Sequence, residues 1–542
     1  MSQPANRLRR GLSYIDLTMA SLGGIIGSGW LFGSMYGANI AGPAAIISWI
    51  IGGLAVLAIG LVYAELGGAL PQAGSIVRFP QYSHGTFVSY LTGWAAVIAY
   101  SSVPPIEAEA ALQYGSHYVN GIFVHGAPTG LGVVIEFLLV ALFFFLNYYG
   151  VMVFAKTNTV WTWIKFGVPA ITIIVLLFTS MHGSNFSSAS AGGFMPYGTS
   201  SILLAIPAGG IIFSYLGFRQ ALDLAGEAKN PQRDVPRAII TSIIVGVILY
   251  VLLQTVFVGS VPAKFLAGGW KNVAFNSPFA DLASVLSIGW LAALLTADAV
   301  WSPTGTGNVY LSSTTRVLFA LSHNRYFPKF MQNVNRRGIP ISALLTTGIL
   351  GWVWLLPILP FTTWKALVGV VSSATVFTYI IGPVAATVLR RTMPNLARPF
   401  RLRGLGIWSP IAFVIAGLII YWSGWSVDSI VLIVILFGLL LYAYGTTSFA
   451  EDLSLFSGKY LKAGVWLVVY IVFMLLMTYF GSSNFGAPHQ LIPYPLDLIV
   501  VIAASLAAYY WGVASGIPTP ESESHGSAES SEAALTAGGG GN

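Results

Sequence analysis

Gly23-Gly24-Ile25-Ile26-Gly27-Ser28-Gly29 lies in the middle of the first apolar run of a 542-residue chain. A membrane span must satisfy its own backbone hydrogen bonds, because lipid offers no partners. Four glycines and a serine in seven residues make a helix easy to break at this point. A break at membrane depth is tolerated where the freed N–H and C=O groups face a cavity or a ligand. One reading is therefore a discontinuous helix whose exposed amides hold an anionic group such as a substrate carboxylate. The other is close helix packing, since Gly23 and Gly27 form a GxxxG, as do Gly33 and Gly37.

Working outward, hydrophobic residues make up 56% of the chain and charged ones only 8%, with a mean hydropathy of +0.76. Soluble proteins carry about a quarter charged residues, so this is a polytopic helical membrane protein. The first apolar run is long and lacks a convincing cleavage site, so no cleavable signal peptide is expected. The absence of cysteine excludes disulfides, thiolate metal sites and cysteine nucleophiles. The net charge of +7 comes from basic residues in short loops between spans, which fits orientation and anionic lipid better than nucleic acid.

Apolar runs predict spans near 13–38, 43–70, 87–119, 130–149, 157–180, 200–226, 238–260, 281–302, 341–357, 366–389, 409–425, 428–447, 464–481 and 496–513, about fourteen in all. Residues 308–322 are expected to continue as a helix along the cytoplasmic side. Arg7, Arg9, Arg10, Arg78, Lys156, Lys229, Arg233, Arg237, Arg316, Arg325, Lys329, Arg336, Arg337, Arg390, Arg391, Arg398, Arg401, Arg403, Lys459 and Lys462 fall on one side of this scheme. Only Lys264, Lys271 and Lys365 fall on the other. By the positive-inside rule both termini are cytoplasmic, in a cytoplasmic membrane. The expected organisation is a cytoplasmic N-terminus over 1–12, a core over 13–390, four further spans over 409–513 and a disordered cytoplasmic tail over 514–542.

The sixth span repeats the peculiarity of the first. Ile206-Pro207-Ala208-Gly209-Gly210 is followed by Phe213-Ser214-Tyr215-Leu216-Gly217-Phe218. Proline cannot donate to the helix ladder, and Gly217 marks a second weak point. Two interrupted spans five apart are what an inverted repeat of five-helix units produces, the best sequence pointer to a midplane binding site in secondary transporters.

At three places the chain resembles the amino acid–polyamine–organocation superfamily of permeases. The motifs are GSGWLF from Gly27 to Phe32, the exit from span six at Glu227-Ala228-Lys229-Asn230-Pro231-Gln232-Arg233-Asp234-Val235-Pro236-Arg237-Ala238-Ile239, and Pro303-Thr304-Gly305-Thr306-Gly307-Asn308 leading to Arg316. They occur in the expected order over 13–390, and the extra spans suit the fourteen-span members. The resemblance implies an all-α inverted 5+5 repeat of the leucine-transporter type, with 13–180 as the first repeat and 200–390 as the second. It implies a permease for amino acids, working by alternating access and coupled to protons, with exchange, facilitation or non-transporting sensing as alternatives. Read alone, the exit motif is a cytoplasmic loop with an Asn-Pro turn. With the resemblance, it can belong to an inner gate.

If the resemblance holds, the substrate α-carboxylate meets the amides of Ile26, Gly27, Ser28 and Gly29, helped by the positive end of the following half-helix. The α-amino group meets carbonyls near Ile25 and from Phe213, Ser214 and Leu216. Phe213 and Tyr215 suit closure over the ligand, or plain core packing. Lys165 sits well inside span five, where an unpaired charge costs several kcal/mol. It is either a proton-linked switch or a permanently charged brace for the first break. Glu107 and Glu109 are two apart and point to different helix faces. Arg219, Asp223 and Glu227 are spaced at four and can pair on one face. Arg219 departs from the family's pattern; it neutralises Asp223 or a span-three glutamate, or it reaches an acidic substrate side chain. Glu65, Glu136 and Asp298 complete the intramembrane charges. Ser302, Ser372, Ser373 and Thr375 are candidate wall donors or helix-backbone bonders.

The sequence offers no paired catalytic carboxylates, Ser-His-Asp set, metal-ligand spacing or nucleotide fingerprint, and so predicts no enzyme, cofactor or metal. An intramembrane enzyme needs a polar catalytic cluster that is absent, a sensor usually needs a signalling domain, and a channel rarely needs two broken helices in repeated positions. The expected partners are an amino acid, protons and the lipid bilayer.

Overall fold

The computed structural model describes residues 11–522 except 73, 125, 189–190, 336–337, 360–362, 449–457 and 521, with backbone alone over 150–161 and 445–448. Arg7, Arg9, Arg10, Arg336, Arg337, the Lys156 side chain and the tail beyond 522 thus lie outside the described residues.

Ser13 opens α1 (Tyr14–Ile25) with a capping box: its hydroxyl accepts from the Asp16 N–H, and the Asp16 carboxylate accepts from the Ser13 N–H. The helix stops for Ile26-Gly27-Ser28 and restarts as α2 (Gly29–Ala41). A turn at Gly42 leads into α3 (Ala45–Ala69), whose 25 residues reach about 37 Å, enough to cross the hydrocarbon. α4 (Ser75–His84) fills what was expected to be a loop. The single span expected over 87–119 is instead two helices, α5 (Thr86–Ser101) and α6 (Val103–Gly115), because Pro104 and Pro105 bring no N–H to the ladder.

The loop expected between spans four and five is absent: α7 (Gly130–Thr179) is helical throughout. Asn147 and Lys165 of α7 hydrogen-bond to Asn308 and Thr306, only two residues apart on another helix. A straight helix would hold 147 and 165 about 27 Å apart, so the two halves are not collinear. α8 (Thr199–Ala208) and α9 (Ile211–Tyr215) begin the sixth span, which bends by 55° between them. Short turns then lead through α10 (Gln220–Asp223). The exit motif is not a loop either. From Pro231 it forms the first turns of α11 (Pro231–Ser260), with proline at the helix start, where its missing N–H costs nothing.

Beyond α12 (Ala263–Leu266) and α13 (Pro278–Val285), α14 (Gly289–His323) begins later than the expected span eight and runs unbroken through Pro303. The stretch 308–322 is helical, as expected, and its Leu311, Thr314, Leu318, Leu321 and Ser322 are buried against neighbouring helices. α15 (Ile341–Trp354), α16 (Trp364–Thr392), α17 (Leu405–Ser423), α18 (Trp425–Ser448), α19 (Gly458–Phe480) and α20 (Leu496–Ser515) follow close to expectation. The start of the expected tail is docked, the Ile517 N–H donating to the Ser83 carbonyl on α4.

α16 is the buried axis: all of its most apolar 18-residue window is inside the bundle. Among the described residues nine helices are long and apolar enough to cross a membrane, ten with the bent α8–α9 pair. α1, α5, α6 and α15 are shorter because their segments are broken or brief. α14 is long but studded with Ser, Thr and Asn. Side chains such as Leu138, Phe145, Phe178 and Ile248 are exposed on the outside, as a lipid-facing surface requires. The chain is a multi-pass membrane protein.

Candidate site at the two helix breaks

The breaks sit back to back because glycine lets the backbones touch. A Cβ on Gly217 would overlap the Gly24 backbone, and one on Gly29 would overlap the Ser214 hydroxyl. Gly33 and Gly37 face Trp49 and Gln254 as packing glycines. Gly27 faces polar groups instead: a Cβ there would meet Glu107 Oε1 at 2.8 Å and Thr306 Oγ1 at 3.0 Å. Gly24, Gly29, Gly33 and Gly37 thus allow close packing, while Gly27 stands among polar groups.

Side chains from five other helices hold the freed backbone of the first break. Lys165 Nζ on α7 donates to the Gly23 carbonyl (2.8 Å) and to Thr306 Oγ1 (2.9 Å). Tyr250 on α11 donates to the Ile25 carbonyl (2.7 Å), and Ser302 on α14 to the Ile26 carbonyl (3.2 Å). The Ser28 N–H donates to Glu107 Oε2 on α6 (2.9 Å). The Ser28 hydroxyl accepts from the Trp364 indole at the head of α16 (2.8 Å). The Ile26 and Gly27 N–H groups bond within the chain turn, to the Leu22 and Ile25 carbonyls.

The second break closes mostly on itself. Gly210 takes the left-handed φ of +77° that only glycine adopts freely. The Ser214 N–H and hydroxyl both donate to the Gly210 carbonyl (3.1 and 2.8 Å). Leu216–Arg219 winds as a tighter 3₁₀ turn. From outside come the Tyr379 hydroxyl on the Leu216 carbonyl (3.2 Å) and the Ser21 hydroxyl on the Phe218 carbonyl (3.1 Å). Trp364 bridges the two breaks, stacked on Tyr36, tilted against Phe32 and edge-on to Phe213. A cavity of about 660 Å³ opens beside it, lined by Pro207, Ala208, Thr363, Lys365, Gly424 and Asn484.

A family model described as amino acid permease matches residues 12–502. The chain belongs to the amino acid permease family. It is 40% identical to the glutamate/serine transporter AimA of Bacillus subtilis (strain 168) over 522 residues, 95% of each chain. It is also 40% identical to the aspartate-proton symporter of the same organism over 524 residues, covering 96% of this chain and 98% of that one. A branched-chain amino acid permease, BcaP, is 27% identical over 448 residues, 80% of this chain and 92% of the relative. The chain is thus a permease rather than an enzyme.

The permease brings Ile25, Ile26, Gly27, Ser28, Gly29, Glu107, Lys165 and Ser302 together at the first break. Asp298 is buried one turn before Ser302, with neither oxygen hydrogen-bonded. Tyr215 turns into the core, donating to the Trp49 carbonyl and packing on Trp49 and Tyr250. Arg219 is buried over the Tyr100 ring (4.5 Å), with Asp223 at 3.7 Å. Glu227 does not join that pair because the helix has broken into short turns; it faces Arg316 at 3.8 Å. Ser372 bonds its own helix at Val368, and Ser373 donates to Asp428. Glu65 pairs with Arg390 (2.6 Å), away from the breaks.

Sequence reasoning missed Thr306, Tyr250 and Trp364. Thr306 had a signal, lying inside the quoted Pro303–Asn308 motif. The two aromatics had none, since an aromatic in an apolar run reads as packing.

Proposed function

We propose that this permease carries amino acids across the cytoplasmic membrane by alternating access, as a proton-coupled symporter with both termini in the cytoplasm. The observation that carries the reading is the ring of five helices around the first break, which holds Gly23–Ser28 open without lipid contact. The substrate α-carboxylate takes the amides of Ile26–Gly29, competing with Glu107 for the Ser28 N–H. The α-amino group takes carbonyls of Ile25, Phe213, Ser214 and Leu216 as the two spans part. Lys165, donating to both Gly23 and Thr306, links its proton to the shape of the break. Pairing of the first four spans with their counterparts five later supports the 5+5 repeat over 13–180 and 200–390: α1 on the 216–219 turn, α3 on α11, α6 on α14, and α7 on α15. Fourteen spans and the division at 390–409 belong to the same proposal.

The names of the two 40% identical relatives favour acidic substrates. Arg219 is a buried cation just after the second break, with one guanidinium nitrogen lacking a hydrogen bond; we assign it to the side-chain carboxylate. Counterflow of labelled amino acids in proteoliposomes, run over the twenty standard ones, tests both statements. Aspartate or glutamate should exchange best, and Arg219→Gln should remove that preference. A folded, reconstituted protein with no counterflow of any amino acid contradicts the permease role.

A further inference from the structure

Glu109 and Glu136 belong to no part of the machinery above. Glu109 follows Glu107 by two residues on α6 but points to the opposite face, towards Glu136 on the first half of α7. Their carboxyl groups are neighbours at one cavity. Both residues are buried, at 1% and 2% exposure, and one oxygen of each has no hydrogen-bond partner. No cation pairs with either among the described residues. Two carboxylates in contact away from water cannot both carry charge, so the contact itself requires a proton between them.

The pair is reachable. It lines a cavity of about 300 Å³ together with Thr129, Val133, Leu355 and Pro357, on the side that carries the loops before α7 and after α15. It also touches the first break indirectly. The cavity is also lined by Leu367, one turn along α16 from Trp364, and the Trp364 indole holds the Ser28 hydroxyl. The titratable groups facing the pair are Tyr36 of α2, beside Glu109, and Lys365 of α16, whose ammonium lies 5.6 Å over the Tyr36 ring.

We propose that Glu109 and Glu136 form a proton-binding site, loaded through this cavity, that sets the position of Trp364 over the first break. With one proton the pair holds together and keeps the head of α16 in place. When the proton leaves, the two carboxylates repel, Glu109 shifts and Trp364 moves with it. The role rests on the permease reading, whereas the proton pair itself does not.

The test is uptake of labelled aspartate into proteoliposomes at varied external pH and fixed internal pH. In the unsubstituted protein the apparent KM should rise by about fivefold or more as the external side becomes alkaline. Glu136→Gln, which mimics the loaded pair, should keep the low KM at every external pH, while Glu136→Asp should restore a pH dependence. A Glu136→Gln profile that follows the unsubstituted one overturns the proposal. Should that variant fail to fold, Glu109→Gln is read in the same way. Infrared spectroscopy is independent of transport: a buried, protonated carboxyl band that is present at acid pH, fades as the pH rises and is missing from Glu136→Gln supports the pair, and a spectrum that Glu136→Gln leaves unchanged overturns it. Loss of counterflow with that band intact would sink the permease reading alone.

Discussion

At the first break, Glu107, Lys165, Tyr250, Ser302, Thr306 and Trp364 reach in from five helices to hold the freed backbone. At the second, a glycine pair turns the chain and the following residues close on their own carbonyls, with Tyr379 and Ser21 adding ties from outside. A backbone fixed by many independent partners moves only if several bonds break together. One that closes on itself can swing as a unit. The contrast divides the labour in our account: the first break is the template that reads the ligand, and the second is the element that moves over it.

The largest expected effect breaks the template. Gly27→Leu puts carbon where Glu107 and Thr306 already crowd a Cβ position. It should lower aspartate affinity by about a hundredfold or more, measured by scintillation proximity with folding checked by size-exclusion chromatography. Next comes Thr306→Val, which keeps the shape but leaves Lys165 and the Gly23 carbonyl one partner short. Losing a buried hydrogen bond costs about 1–3 kcal/mol, so affinity should fall about tenfold. Gly210→Ala should act differently. It strains a left-handed backbone and presses a Cβ to 2.7 Å from Trp364. With about 1–2 kcal/mol of strain, it should slow counterflow more than it weakens equilibrium binding. Equal effects of Thr306→Val and Gly210→Ala on affinity would erase the distinction between the breaks. Ser372→Ala removes only a bond to its own helix and should change both measures by less than about 0.5 kcal/mol.

Both breaks were legible because glycine and proline state their conformational needs locally. Gly23–Gly29 and Gly209-Gly210 announce weak helices whatever surrounds them. The extent of helix was less legible where polar and apolar signals conflict. The exit motif reads as a loop through Asn230-Pro231, yet proline is at home in a first helical turn. Residues 308–322 read as a continuing helix, and in the folded chain their hydroxyls turn to the helix's own carbonyls, as those of Thr314 and Thr315 do. Lys165 stood out because charge is rare at that depth. The partners that make it useful did not, since Thr306 and Tyr250 matter only through contacts 141 and 225 residues distant in sequence from Lys165 and Ile25.

The claim beneath the comparison is that the first break ties substrate to a proton through Lys165. An acid-outside pH jump applied to proteoliposomes free of internal aspartate, with labelled aspartate outside, tests it most directly. The account predicts accumulation of labelled aspartate inside, driven by the gradient, and its loss in Lys165→Ala while counterflow without a gradient survives. Accumulation by the unsubstituted protein that ignores the pH gradient would contradict it, leaving Lys165 as a brace and the permease as an exchanger or facilitator.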